Sequence, residues 1–181
     1  YYTDQYVRLK NSCTTPILTG EDIYLKEGFM DLFEKKAISI CHPDLATSGG
    51  LLETKKIGDL AQEHGISMAL HMAGHPVTLF SSVHCAAATE NFMVMEHHNV
   101  DDAWYDEVVT GVPQPLMDEE GFIPVPNGPG LGIELNEDAV KSHLKDPERD
   151  YFAPTPEWDN ERAWDRLWSR TGPAVKEPRS A

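Results

Sequence analysis

The chain reads as α/β, the second half of an eight-stranded parallel barrel with a C-terminal extension. Two observations predict this. Short apolar runs alternate with helical stretches, which favours parallel βαβ architecture. Four successive runs also end in an ionisable residue: Glu21, Asp44, His71 and Glu96, spaced 23, 27 and 25 residues apart. In a parallel barrel the C-terminal strand ends converge on one mouth, where chemistry sits.

Each element follows from its residues. Thr3 to Ser12 carries a weak helical stripe of Tyr6, Val7 and Leu9. Pro16 to Thr19 is a short strand ending at Gly20. Leu25 to Lys36 has Phe29, Met30, Leu32 and Phe33 at helical spacing. Ala37 to Cys41 is the second strand, ended by Pro43. Thr47 to Gly50 is a loop opening a helix whose expected apolar face is Leu51, Leu52, Ile57, Leu60 and Ala61, with Gly65 as its C-terminal cap. Ile66 to Leu70 is the third strand, Val77 to Thr89 an alanine-rich helix, and Phe92 to Met95 the fourth strand. The strands lack strict alternation, as expected when both faces are buried. After Glu96 the chain turns acidic and turn-rich, and residues 121–134 are stiffened by proline and broken by glycine. Asn136 to Leu144 is expected to be a short helix capped by Asn136. The tail holds Trp158, Trp164 and Trp168, the last two on one helical face. The boundaries expected are residues 1–110 for the barrel half and 111–181 for a segment packing on the barrel or a capping domain.

Composition bounds the function. The 181 residues are 40% hydrophobic, ordinary for a globular domain, but the whole barrel needs about 250 residues. Four strands are countable, and the first helix has no strand before it. The chain is therefore expected to be a fragment, and half a barrel alone would leave two open sheet edges. A net charge of −15 argues against nucleic acid and anionic membrane surfaces as partners. No apolar run approaches the ~20 residues that span a bilayer. Cys13, Cys41 and Cys85 lack CxxC spacing and suit free, mostly buried thiols in a reducing compartment, so a cytoplasmic setting is expected.

The candidate chemistry lies at the strand ends. A carboxylate there, Glu21 or Asp44, suits a hard cation such as Mg²⁺, or equally serves to cap the next helix. Asp44 and His71, one βα unit apart, could meet so that the carboxylate fixes the imidazole tautomer for proton transfer; a merely structural histidine is the alternative. A buried Glu96 could be protonated and donate a hydrogen bond to a developing oxyanion, or be a solvated loop carboxylate. His97 and His98 are adjacent and rarely would face the same way, which argues against a metal cluster. His42 and His75 lie near the same mouth as candidate substrate contacts, with no spacing argument behind them. The glycines from 128 to 132 do not sit between a strand and a helix of a βαβ unit, so they read as turns, not as a phosphate loop.

These motifs resemble the C-terminal half of the mandelate racemase and muconate lactonizing enzyme branch of the enolase superfamily. Thr19-Gly-Glu21-Asp22 resembles the end of that barrel's fifth strand, Pro43-Asp44 to Lys56 the sixth strand end and its helix, Ala69-Leu-His71 the seventh and Met95-Glu96 the eighth. Residues 121–134 are similar to the segment that runs back toward the capping domain in sugar-acid dehydratases. The resemblance covers roughly residues 1–146. It implies a modified (β/α)8 TIM barrel, Glu21 as third ligand to Mg²⁺, His71 oriented by Asp44 as base or acid, and Glu96 stabilising the intermediate. It also implies a dehydratase of the galactonate type acting on a sugar acid as a homo-oligomer, with racemase, epimerase or cycloisomerase as the alternative. The family's other two metal ligands, its second-strand lysine and its capping domain have no counterpart here, so the chain is expected to need them. A decayed, non-catalytic barrel would lack one of the four strand-end residues, and all four are present. An aldolase or a hydrolase would need a strand-end lysine or a multi-histidine cluster, and neither is visible.

Overall fold

The computed structural model describes residues 2–98, 102–146 and 148. The tryptophan-bearing tail lies outside the described residues. Contacts group residues 1–139 into one compact unit and 140–181 into another.

In the first unit, helix α1 (Thr3–Ser12) leads to strand β1 (Leu18–Thr19), helix α2 (Leu25–Glu34), strand β2 (Ile40–Cys41), a short helix α3 (Leu45–Ser48), helix α4 (Leu51–Glu63), strand β3 (Ser67–Leu70), helix α5 (Pro76–Ala87) and strand β4 (Phe92–Met95). The four strands form one parallel sheet in the order β1-β2-β3-β4, so each helix carries the chain to the next strand. A 3-10 turn (Tyr105–Val108) follows, and β5 (Val109–Thr110) pairs antiparallel with β6 (Glu134–Leu135). Helix α6 spans Glu137–Ser142, and the Asn136 side chain accepts the Ala139 N–H at 3.2 Å, the cap read from sequence.

The first two strands are shorter than their apolar runs. Lys36, at φ 50°, closes α2 with the Ala37 N–H donating to Leu32 O at 2.8 Å and the Lys36 N–H to Phe33 O at 3.0 Å. Ala37 and Ile38 are therefore spent on leaving the helix rather than on the sheet. Gly65, at φ 70°, ends α4 in the same way, through Ile66 N–H to Ala61 O at 2.9 Å.

The expected face of α4 is rotated. Leu51 and Leu52 are exposed, at 41% and 68%, and the buried stripe is Thr54, Ile57, Gly58 and Ala61. The reason is close approach: a Cβ on Gly58 would stand 2.7 Å from Thr89 Cγ2 and 3.2 Å from Met68 Sδ, so this small residue faces the sheet. Thr54 is accommodated because its hydroxyl donates to Gly50 O and meets Ser48 Oγ. Phe29, Leu32, Phe33, Ile57, Met68, Leu70 and Cys41 form the centre of the core. Cys41 and Cys85 are buried and free, whereas Cys13 is exposed. The outer strands keep apolar side chains in solvent, with Leu18 on β1 at 41% and Met93 and Val94 on β4 at 56% each. Among the described residues no helix is long and apolar enough to cross a membrane.

Candidate active site

The strand ends come together because the hydrogen-bonded ladder continues past the strands. His42 N–H donates to Thr19 O at 3.0 Å, His71 N–H to Pro43 O at 3.1 Å, and Glu96 N–H to Leu70 O at 3.0 Å; Asp44 and His71 form a parallel bridge. Neighbouring strands lie about 4.8 Å apart, so residues at equal height must touch. Gly20 places the fourth member. It sits at φ 144°, and a Cβ there would be 2.8 Å from Phe29 Cε1 and 3.1 Å from the His42 backbone. Glycine alone lets β1 end this close to β2 and present Glu21, whose carbonyl accepts the Thr47 hydroxyl at 2.9 Å.

Asp44 both caps the next helix and meets His71. Its Oδ1 accepts the Ala46 and Thr47 N–H groups at 2.7 and 3.1 Å and caps α3, while its Oδ2 meets His71 Nδ1 at 2.7 Å. The side chain is only 11% exposed. A carboxylate only accepts, so Nδ1 carries the hydrogen and Nε2 is the nitrogen turned to the mouth. Nε2 lies 3.2 Å from Glu21 Oε2 and 3.5 Å from Glu96 Oε2. The tertiary structure thus joins Glu21, Asp44, His71 and Glu96 in one cluster.

Glu96 is half-buried rather than buried, with 36% of its side chain exposed. Burial works to raise its pKa, but the Met72 N–H at 3.3 Å and the imidazoles of His71, His98 and His42 outweigh burial and hold it below the usual carboxylate value. His98 meets its Oε1 at 3.3 Å.

His42 joins the cluster by tertiary contact. Its Nδ1 donates to Ala69 O at 2.8 Å, its ring lies edge-on to His71 with centroids 5.3 Å apart, and its Nε2 is 3.8 Å from Glu96 Oε2. A cavity of about 340 Å³ opens beside it, lined by Tyr6, Thr19, Gly20, Glu21 and His42 among others. His75 instead stacks on Trp104 and Tyr105, at 5.7 and 6.2 Å, and Tyr105 is tied back by its hydroxyl to Gly74 O. The described contacts of the His75 ring run to that aromatic pair. His97 meets Tyr105 edge-on, with ring centroids 5.6 Å apart, and burial lowers its pKa.

Glu21 offers the hard oxygen that Mg²⁺ prefers. Among the described residues, however, no group of three or more His, Cys, Asp and Glu side chains could hold a metal ion. These residues supply one candidate ligand and not a complete site.

A carboxylate-oriented imidazole stands among acidic groups at the C-terminal ends of parallel strands, the end at which parallel barrels carry their sites. Residues 2–139 match the family described as Enolase C-terminal domain-like, and the chain belongs to that family, in its mandelate racemase/muconate lactonizing branch. It is 37% identical over 137 residues to the D-xylonate dehydratase of Haloferax volcanii, covering 76% of this chain and 32% of that protein. It is 30% identical over 162 residues to the D-galactonate dehydratase of Verminephrobacter eiseniae, covering 87% and 40%. Among solved structures it is similar to the 3,6-anhydro-D-galactonate cycloisomerase from Zobellia galactanivorans, with a TM-score of 0.71, 35% identity, and 80% and 40% of the two chains covered. The chain spans 32% and 40% of the lengths of the two curated relatives.

Proposed function

We propose that residues 1–110 form the second half of the active-site barrel of a sugar-acid dehydratase, a hydro-lyase that removes the proton α to a carboxylate and expels the β-hydroxyl as water. The 2.7 Å contact between His71 Nδ1 and Asp44 Oδ2 carries this reading. With Nδ1–H given to Asp44, Nε2 of His71 is the atom that takes the α-proton as base, or supplies a proton to the departing hydroxyl as acid. Asp44 stabilises the imidazolium formed in the first case. Glu96 as a carboxylate adds to that stabilisation; to donate toward an oxyanion it must first gain a proton. After elimination the enol product tautomerises to a 2-keto-3-deoxy acid.

Glu21 is the residue of this chain to which Mg²⁺ is assigned in this reading, and the ion's other ligands must come from residues beyond those described. The substrate is a small sugar acid of the xylonate or galactonate kind, the protein a homo-oligomer that needs the other barrel half and capping domain. The free Cys41 and Cys85 thiols suit a cytoplasmic setting.

The test is turnover of D-xylonate, D-galactonate and related acids, with Mg²⁺, by the protein that carries this chain, read by appearance of the 2-keto acid and by deuterium incorporation at its C3 in heavy water. No keto acid and no exchange from any acid overturns the reading. The likeness to a cycloisomerase favours a second reading, in which the same proton is removed but the product keeps the substrate's mass. Mass spectrometry separates the two.

A further inference from the structure

The structure assigns His42 as the residue that selects a hydroxylated substrate, its Nε2 accepting a hydrogen bond from a substrate hydroxyl. This rests on the sugar-acid reading above and adds a specificity residue to it.

Three observations carry the proposal. First, Ala69 O can only accept, so the 2.8 Å contact obliges His42 Nδ1 to hold the hydrogen. In the neutral form of the ring Nε2 is then an acceptor, and it is the nitrogen left to face a ligand. Second, that nitrogen faces further acceptors. Glu96 Oε2 is 3.8 Å away, too far for a direct hydrogen bond, so the two groups do not satisfy each other. Glu21 Oε2 also points into the cluster, at His71 Nε2. A space ringed by acceptors is filled well by a group that donates, and a hydroxyl of a polyhydroxylated acid does so. Third, His42 lines the 340 Å³ cavity together with Glu21, so a ligand in that space reaches its ring. The ring is only 14% exposed and is braced edge-on by His71, so its aim is set before substrate arrives.

A site built to hydrogen-bond a hydroxyl rejects the analogue that lacks it far more strongly than an apolar pocket could, because its own polar group is stranded. The test uses the full protein that carries this chain, compared as wild type, His42→Asn and His42→Gln. Asn keeps a donor for Ala69 O and deletes the Nε2 position; Gln restores an acceptor near it. Each is assayed for kcat/KM on D-xylonate and on its singly deoxygenated analogues. The expected result is that wild type discriminates against one analogue by about tenfold or more. His42→Asn should lose that discrimination to within about threefold, and His42→Gln should recover part of it. Equal loss on every compound in His42→Asn, or unchanged discrimination, overturns the assignment while leaving the dehydratase reading intact. A wild type inactive on every acid overturns both.

Discussion

Replacing Asp44 with Asn separates two jobs that one side chain performs. The amide oxygen can still accept the Ala46 and Thr47 N–H groups, so the cap on α3 survives. The amide nitrogen, however, donates where the carboxylate Oδ2 accepted, and it would face His71 Nδ1–H across 2.7 Å. Two donors cannot share that contact, so the imidazole must move its hydrogen to Nε2. The nitrogen at the mouth then has no lone pair for the α-proton. Loss of the working tautomer at a carboxylate–histidine pair elsewhere costs about 10⁴ in turnover, and a fall of about 10³ to 10⁴ is expected here. Stability should change little, by about 1 kcal/mol, because a charge-assisted bond becomes a neutral one. Asp44→Ala provides the contrast. It removes the cap, worth about 1 kcal/mol, and strands a part-buried imidazole, for a total loss of about 2 to 4 kcal/mol. The assays are kcat on the sugar acid, ¹⁵N chemical shifts of the His71 ring and denaturant unfolding. An Asn variant with the wild-type tautomer and near-wild-type turnover would refute the reasoning.

Other consequences follow from the same contacts. Gly20→Ala forces a Cβ to within 2.8 Å of Phe29 and into a backbone region alanine avoids, so unfolding should show a loss of about 1 to 3 kcal/mol, with turnover falling as Glu21 is displaced. Thiol labelling followed by mass spectrometry should modify Cys13 in the native protein, whereas Cys41, pushed up to about 12 by burial, and Cys85, also raised by burial, should label only after unfolding. Glu96 has a folded pKa below its ordinary 4.5, so its stabilisation is present above 4.5 and fades as pH falls through the lower folded value. The stability gap between wild type and Glu96→Gln should therefore narrow on acidification below pH 4.5, and a gap that widens there would contradict the assignment. Lysine at Met93 or Val94 should reduce any self-association that runs through the open β4 edge, as measured by sedimentation.

The amino-acid sequence by itself determined the repeat. Apolar runs of strand length, helices of ten residues or more and an ionisable residue after each run required parallel βα units with Glu21, Asp44, His71 and Glu96 at one end. The period of each pattern is local, and backbone geometry converts it into position. It also showed the Asn136 and Gly65 caps, since capping depends on residues three or four positions away. Only the tertiary structure decided which face of α4 is buried. There the small Gly58 outranked the apolar Leu51 and Leu52, because how closely a helix approaches a sheet depends on the strand opposite, not on the helix's own pattern. Only the tertiary structure decided that Asp44 caps α3 and holds His71 at once, since the two carboxylate oxygens can serve neighbours 2 and 27 residues away. It likewise brought in His42, through a carbonyl on the adjacent strand, and held the Glu96 pKa down through the Met72 N–H and the His42 and His71 imidazoles from other strand ends, beside His98 from its own. His42, His71 and Met72 are distant from Glu96 in the chain, and they meet it only when the sheet sets the strand ends side by side.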